Sequence, residues 1–300
     1  MRCLDFLLGL MLLATACSRA LALSDTAWQR DITALQTLGY LPLTPAGAHA
    51  VRFAFPVPAA LQAAADQQRW NRYNPFIEGA VDQFSRVNGL QPARAFYEGQ
   101  LTPVIRKRLL SAKARPDPYP WLWVLVTKAR PETLRIWQAQ AGWVYRARVN
   151  TGVADSTPTG TWAIYQRLPK TEMKGVFPTP ISWTRYQVLL RTSASTTLVG
   201  LAHGQPVYWK PYDDKDIRWV NYFFEGRGIH YFPRLHYGYP QSAGCVETSL
   251  SRAEDIYALL HIGVPVTIAS EQINNVPGLI EARATLLDRG TLPSLFGSNP

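Results

Sequence analysis

Tyr239-Pro240-Gln241-Ser242-Ala243-Gly244-Cys245-Val246-Glu247 decides how this chain is read. Pro240 restricts the backbone, and Gly244 permits an unusual turn just before the thiol. A thiol needs activation to attack a carbonyl, because the thiolate is the strong nucleophile. That calls for a histidine within hydrogen-bond reach. His230, closing Gly228-Ile229-His230, is the expected base, brought back by a hairpin-like connection. His236 competes from the intervening loop. His203 lies in a glycine-containing segment, His261 at a helix end, and His49 in the N-terminal half as a surface residue.

Outward from this run the chain reads as β-rich. Leu122-Trp123-Val124-Leu125-Val126 is a strand, and Thr133-Leu134-Arg135-Ile136-Trp137 alternates as another. Trp143 to Val149 alternates again, and Trp162-Ala163-Ile164-Tyr165 follows the turn signal Pro158-Thr159-Gly160. Helical character returns at Ser251 to Leu260. Val264-Pro265-Val266-Thr267-Ile268 reads as a closing strand, with Pro265 placing it near an edge. Close-spaced strands predict a β-rich mixed sandwich or barrel-like domain over 121–269.

The N-terminal half has helical spacing instead. Ile32, Leu35 and Leu38 mark a helix from Trp28 that Gly39 ends. Phe76 to Val87 repeats the pattern and Gly89 ends it. Thr102 caps a third helix with Pro103 at its first position. The expected class is multidomain: a small all-α N-terminal module over 28–113, then the β-rich domain. Ala114 to Pro120, with Pro116, Pro118 and Pro120, reads as the linker. Residues 270–300 form a C-terminal extension, with a short helix at Gly278 to Leu287.

A chain of 300 residues is long for one core and suggests two domains. Arg2, the apolar run Leu4 to Ala16 and Ala20-Leu21-Ala22 read as a signal peptide over 1–22. Leu13-Ala14-Thr15-Ala16-Cys17 offers a lipobox alternative, and an uncleaved anchor is a third reading. Export leaves Cys245 as the single thiol of the mature chain, since Cys3 and Cys17 lie in the signal. One cysteine supports neither an internal disulfide nor a zinc site. The formal charge of +10, scattered rather than clustered, fits anionic envelope polymers better than nucleic acid, for which no motif is present. No metal, nucleotide or flavin cofactor is implied.

Residues 121 to 269 resemble an L,D-transpeptidase catalytic domain of the YkuD type. The matching pieces run in order: Thr151-Gly152, Thr157-Pro158-Thr159-Gly160-Thr161-Trp162, Met173 and Gly175, Arg218-Trp219-Val220 with Tyr222-Phe223, Ile229-His230, then Gly238, Pro240, Ser242 and Gly244-Cys245-Val246, and last Gly263 and Pro265-Val266. Departures are Tyr231 after the histidine, Ala243 before Gly244, and Glu247 where arginine or asparagine is common. The N-terminal pieces Leu35-Gln36, Leu38-Gly39-Tyr40, Ala80-Val81, Phe84, Gly89-Leu90, Glu98-Gly99 and Thr102 to Leu109 resemble a type 1 peptidoglycan-binding domain.

The resemblance implies acyl transfer on peptidoglycan stem peptides. Cys245 would attack a tetrapeptide carbonyl, with His230 holding the thiolate as an ion pair. The Tyr231 backbone carbonyl would orient the imidazole, and the N–H groups of Gly244 and Cys245 would form the oxyanion hole. Ser242 would support the turn or contact substrate, and Tyr222 and Trp219 would line the substrate channel. An amine from a second stem gives a 3–3 cross-link. The expected partners are stem peptides and glycan strands, with no nucleic acid or transmembrane partner, in the periplasm or envelope. Alternatives are an L,D-carboxypeptidase or protein-to-wall linking enzyme of the same fold, a catalytically decayed wall-binding protein, and a sortase-like transpeptidase.

Overall fold

The computed structural model describes residues 26–47, 50–90, 101–192 and 199–270. The expectations for the signal and Cys17, for His49, for Glu98-Gly99 and for the helix at Gly278 to Leu287 lie outside these residues.

The N-terminal part begins with helix α1 (26–37), which buries Ile32 and Leu35. Strands β1 (Leu43–Pro45) and β2 (Val51–Phe53) follow as an antiparallel hairpin, with Leu43 opposite Phe53. Helix α2 (Ala59–Asp66) comes next, then α3 (Pro75–Val87). The Asn74 side chain accepts from Phe76 N and so caps α3. Helix α4 (Pro103–Leu109) is capped by Thr102, whose hydroxyl accepts from Ile105 N. An all-α module is therefore corrected to a helical one with a two-stranded hairpin. The hairpin forms because Val51 and Phe53 alternate inward around exposed Arg52.

Five strands form one mixed sheet: β3 (Leu122–Thr127), β4 (Thr133–Gln138), β5 (Gly142–Arg148), β6 (Gly160–Ala163) and β12 (Pro265–Ala269). Strand β7 (Gln166–Pro180) leads to α5 (Trp183–Thr192), β8 (Val199–Ala202) and the long β9 (Gln205–Phe224). Strands β10 (Arg227–Tyr231) and β11 (Val246–Thr248), helix α6 (Leu250–Leu259) and β12 (Pro265–Ala269) complete the order. The first sheet runs β5-β4-β3-β12-β6; the second runs β11-β10-β9-β7, with β8 on β9. β12 therefore lies inside its sheet, not near an edge as Pro265 suggested. Pro265 is its first residue, and the parallel pairing to β3 starts one residue later, at Val266 opposite Val124. The proline's missing N–H costs that ladder nothing.

Strand β3 is buried along its whole length. Its side chains alternate between two cores, as the period of a strand requires. Leu122, Val124 and Val126 face the second sheet and pack with Ile229, Val246 and Ile256. Trp123 and Leu125 face the other way and join the core of the N-terminal helices. An aromatic seam continues this second core: Trp121 sits 5.7 Å from Phe53 and 6.3 Å from Trp137, ring centroid to centroid. Such pairs are worth about 0.5–1.5 kcal/mol each beyond their burial. The 114–120 segment is tied down at this seam. Tyr40 Oη donates to Arg115 O, Asp117 N to Leu38 O, and Gln83 Nε2 to the Asp117 carboxylate. It is extended, as its prolines require, but it is no free tether.

Helix α3 packs against the β-rich part at Gly79. A Cβ there would run into the Gly263 carbonyl, with the Ala163 side chain at 3.2 Å. Glycine costs a helix interior roughly 0.5–1 kcal/mol relative to alanine, so Gly79→Ala would stabilise a free helix. Here the clash outweighs that gain. The variant is expected to be less stable by about 1–3 kcal/mol, the usual cost of overpacking. Urea denaturation checks it; a more stable variant would show that α3 is not clamped to this loop.

Candidate active site

Cys245 immediately precedes β11, and His230 is the fourth residue of β10. The two strands are parallel neighbours, with Ile229 opposite Val246 and His230 opposite Glu247. This pairing, and not a hairpin, brings the thiol and the imidazole to one cavity, of about 330 Å³, which both residues line. The cavity opens where β9 runs on beyond β10. The two pair as far as Tyr231 opposite Arg218, and Lys210, Tyr212 and Asp214, on the run of β9 that pairs with β7 alone, form one wall. Phe177 and Thr179 of β7 extend that wall.

The turn before Cys245 is held from both sides. Ser242 is fully buried, and its hydroxyl donates to Cys245 O at 2.6 Å and accepts from Gly244 N at 3.0 Å. Thr151 O accepts from Gln241 N and Ser242 N, and Ser242 O accepts from Val153 N. Thr157 Oγ1 donates to Gly244 O at 2.8 Å and accepts from Gly152 N at 2.7 Å. Gly244 has φ +144°, and a Cβ there would meet Ser156 O at 2.9 Å and the Arg227 guanidinium at 3.0 Å. Only glycine fits that position. Behind the turn lies Glu132, fully buried. Its two carboxylate oxygens accept from Thr151 N at 2.6 Å and Thr151 Oγ1 at 2.8 Å.

His230 is 2 % exposed, and its Nδ1 lies 2.8 Å from Tyr231 O. A carbonyl can only accept, so Nδ1 carries the hydrogen and Nε2 is left with its lone pair. Burial holds the imidazolium down at about 4; the Tyr231 bond opposes this and nearby Arg234 adds to it. Burial likewise pushes the Cys245 thiol up to about 11, against a backbone hydrogen bond with Gly228; Glu247 adds to the rise and Arg227 opposes it. At neutral pH both groups are therefore neutral. Both shifts oppose the expected thiolate–imidazolium pair, because burial penalises both charges.

Other expected residues fall in different places. The Gly244 N–H is engaged by Ser242 Oγ, which leaves the Cys245 N–H as the candidate oxyanion donor. Tyr222 stacks on Tyr165; burial raises its phenol and the neighbouring Cys245 adds to the rise. Trp219 packs against Tyr257 of α6, with ring centroids 5.3 Å apart, and does not line the cavity. Among the other histidines, His203 sits in the β8–β9 turn and His236 is exposed. His261 stacks on Tyr119, at 4.7 Å.

Sequence reasoning missed Arg234. Its guanidinium grips Glu247 with two bonds, Nε to Oε2 at 2.8 Å and Nη2 to Oε1 at 3.0 Å, and also donates to Gln241 O. Both residues line the cavity. Glu247 thus brings a guanidinium to the thiol's side through a partner thirteen residues upstream. Sequence carried no cue for that pairing, nor for the Glu132–Thr151 contact. Among the described residues no group of three metal-ligating side chains occurs.

Residues 122–268 match the family model of the L,D-transpeptidase catalytic domain, YkuD. No curated protein matches the chain. Among solved structures, an L,D-transpeptidase from Enterococcus faecium is 15% identical, covering 52% of each chain, with a TM-score of 0.34. One from Mycobacterium smegmatis is 16% identical over 50% of this chain and 59% of that one, at 0.32. One from Stackebrandtia nassauensis is 17% identical over 81% and 91%, at 0.32. The chain spans little more than half the length of the first two.

Two outcomes test this geometry. Cys245 should react slowly with iodoacetamide at neutral pH, with a rate that climbs toward pH 11; a plateau below pH 8 would mean a thiolate stabilised at rest. The same burial makes folding pH-dependent. Between the ordinary histidine value of 6.5 and about 4 the unfolded chain takes up a proton that buried His230 refuses, so His230 removes stability as pH falls through that window. His230→Gln should flatten that limb of a stability-against-pH curve. Separately, Thr151→Val should cost about 1–3 kcal/mol by stripping a donor from buried Glu132, whereas Thr151→Ser, which keeps the hydroxyl, should cost far less. Equal losses in chemical denaturation would rule out the hydrogen bond as the cause.

Proposed function

We propose that this protein, whose residues 122–268 match the family model of the L,D-transpeptidase catalytic domain, YkuD, is a cysteine-dependent acyltransferase that joins peptidoglycan stem peptides through a thioester on Cys245. The observation that carries the reading is the shared cavity of Cys245 and His230, with the imidazole pinned through Nδ1 and its Nε2 unprotonated.

The resting pair is neutral, so the proton moves as the bond forms. Cys245 Sγ attacks the carbonyl joining the diamino acid of a tetrapeptide stem to its terminal D-alanine. The thiol proton passes to His230 Nε2, and the Tyr231 carbonyl steadies the imidazolium through Nδ1–H. The oxyanion takes up the Cys245 N–H, a donor of a kind typically worth about 2.7–4 kcal/mol. When the C–N bond breaks, His230 returns the proton to the leaving amine of D-alanine. The amine of a second stem then attacks the thioester and gives its proton to His230. Thiolate departs and is reprotonated there, leaving a 3–3 cross-link. Water as acceptor would make the same site a carboxypeptidase.

The +10 charge and the signal-like first residues support reading this chemistry as one of the cell envelope. The N-terminal helices serve as the wall-binding part. Intact-protein mass spectrometry after incubation with a purified tetrapeptide muropeptide or a carbapenem tests the reading. The expected result is one covalent adduct, absent in Cys245→Ala, and formed about 10²- to 10⁴-fold more slowly in His230→Gln, the usual weight of a general base. A folded protein that gives neither adduct nor product would instead be a wall-binding protein with a spent catalytic domain.

A further inference from the structure

Strands β7 and β9 continue as a pair far past the cavity, to Pro180 opposite Val207, and carry α5 and β8 at their end. The charge pattern changes along this arm. Where it leaves the body, its charges are balanced: Lys174 bonds to Glu172 and Asp213, Lys215 to the same two carboxylates, and Lys170 and Arg218 to Asp216. Beyond Glu172 the sequence has no acidic residue until Asp213, while Arg185, Arg191 and Lys210 fall in between.

The same segment gathers exposed apolar side chains. Helix α5 buries none of its residues. Trp183, Val188 and Leu190 on that helix are all more than half exposed, at 56 %, 52 % and 54 %. Leu201, at 50 %, and Tyr208 continue the apolar surface on β8 and β9. Trp183, Leu190 and Arg191 lie on adjoining rows of the helix, so aromatic, aliphatic and cationic groups share one side.

We propose that this arm is a docking surface for an anionic lipid membrane, with α5 lying in the headgroup layer. The charge complementarity is specific to the arm: it is basic without a counter-charge, while its base is neutralised. The aliphatic Leu190 and Leu201 choose lipid over a sugar polymer, because they offer a glycan no hydrogen bond. Interfacial helices bind by this combination of buried apolar side chains, an aromatic anchor and basic residues. No helix among the described residues is long and apolar enough to cross a membrane. Phe177, Thr179 and Lys210 belong to both arm and cavity wall, so docking would hold the cavity at a fixed height over the bilayer.

Hydrogen exchange on the full chain tests this, because it reports on the arm separately from the apolar N-terminus. Vesicles of phosphatidylglycerol and phosphatidylcholine should slow exchange across 183–192, and vesicles of phosphatidylcholine alone should not. Arg185→Gln with Arg191→Gln should weaken that protection roughly thirtyfold in lipid concentration, at about 1 kcal/mol per basic residue. Trp183→Ser with Leu190→Ser should abolish it; these side chains are exposed, and unchanged protection elsewhere confirms the fold. Unchanged exchange in the arm beside anionic vesicles would overturn the proposal. So would protection indifferent to these substitutions, protection by purified wall polymer but not vesicles, or protection that rises with protein concentration without lipid, which would mark a contact between copies.

Discussion

The parallel pairing of β10 with β11 is the constraint on which the C-terminal half rests. A parallel pair cannot close through a tight hairpin, so the chain between Tyr231 and Val246 must travel out and return. Everything around Cys245 serves that return. Ser242 closes the turn on itself, Thr157 grips Gly244 from one side, and Thr151 grips Gln241 and Ser242 from the other. Arg234, on the outward part of the loop, bonds to Glu247 on the returning strand. The thiol is thus held by a backbone whose every neighbour is fixed, a form of preorganisation that lowers the cost of reaching the reactive geometry.

A neutral cysteine–histidine pair follows from the same enclosure. His230 is almost fully buried beside the turn, and burial penalises thiolate and imidazolium alike. In the proposed reaction, reactivity would then depend on proton transfer during attack rather than on a standing ion pair, and the charge developing at the substrate's carbonyl oxygen would complete the electrostatics.

Much of this was legible in the sequence because the signals are local. An unbroken apolar run announced β3 and alternation announced β4 and β5, and the Ser242–Cys245 run with His230 announced two residues that share the cavity. Other features depend on partners far along the chain. Pro265 misled about β12, since nothing local says that a proline is the first residue of an interior strand. β7 and β9 contain Pro178, Pro180, Pro206 and Pro211, which disguise a long hairpin. Glu132 is an acid on a strand entry, unremarkable until Thr151 is brought against both of its oxygens. Gly244 was assigned to the oxyanion because its N–H adjoins the thiol, yet Ser242 Oγ, two residues away, claims that hydrogen.

Strand β3 serves two cores at once, with Trp123 and Leu125 in one and Val124 and Val126 in the other. The β5-β4-β3-β12-β6 sheet therefore has no finished outer face of its own. Were the N-terminal helices cut away, Trp123, Leu125 and Trp137 would meet water together, a greasy wall with every tendency to stick to its like. The two halves cannot be inherited or exchanged as separate cassettes. Any lineage that trades the helical part must supply another cover of the same shape, or rebuild every second residue of the strand.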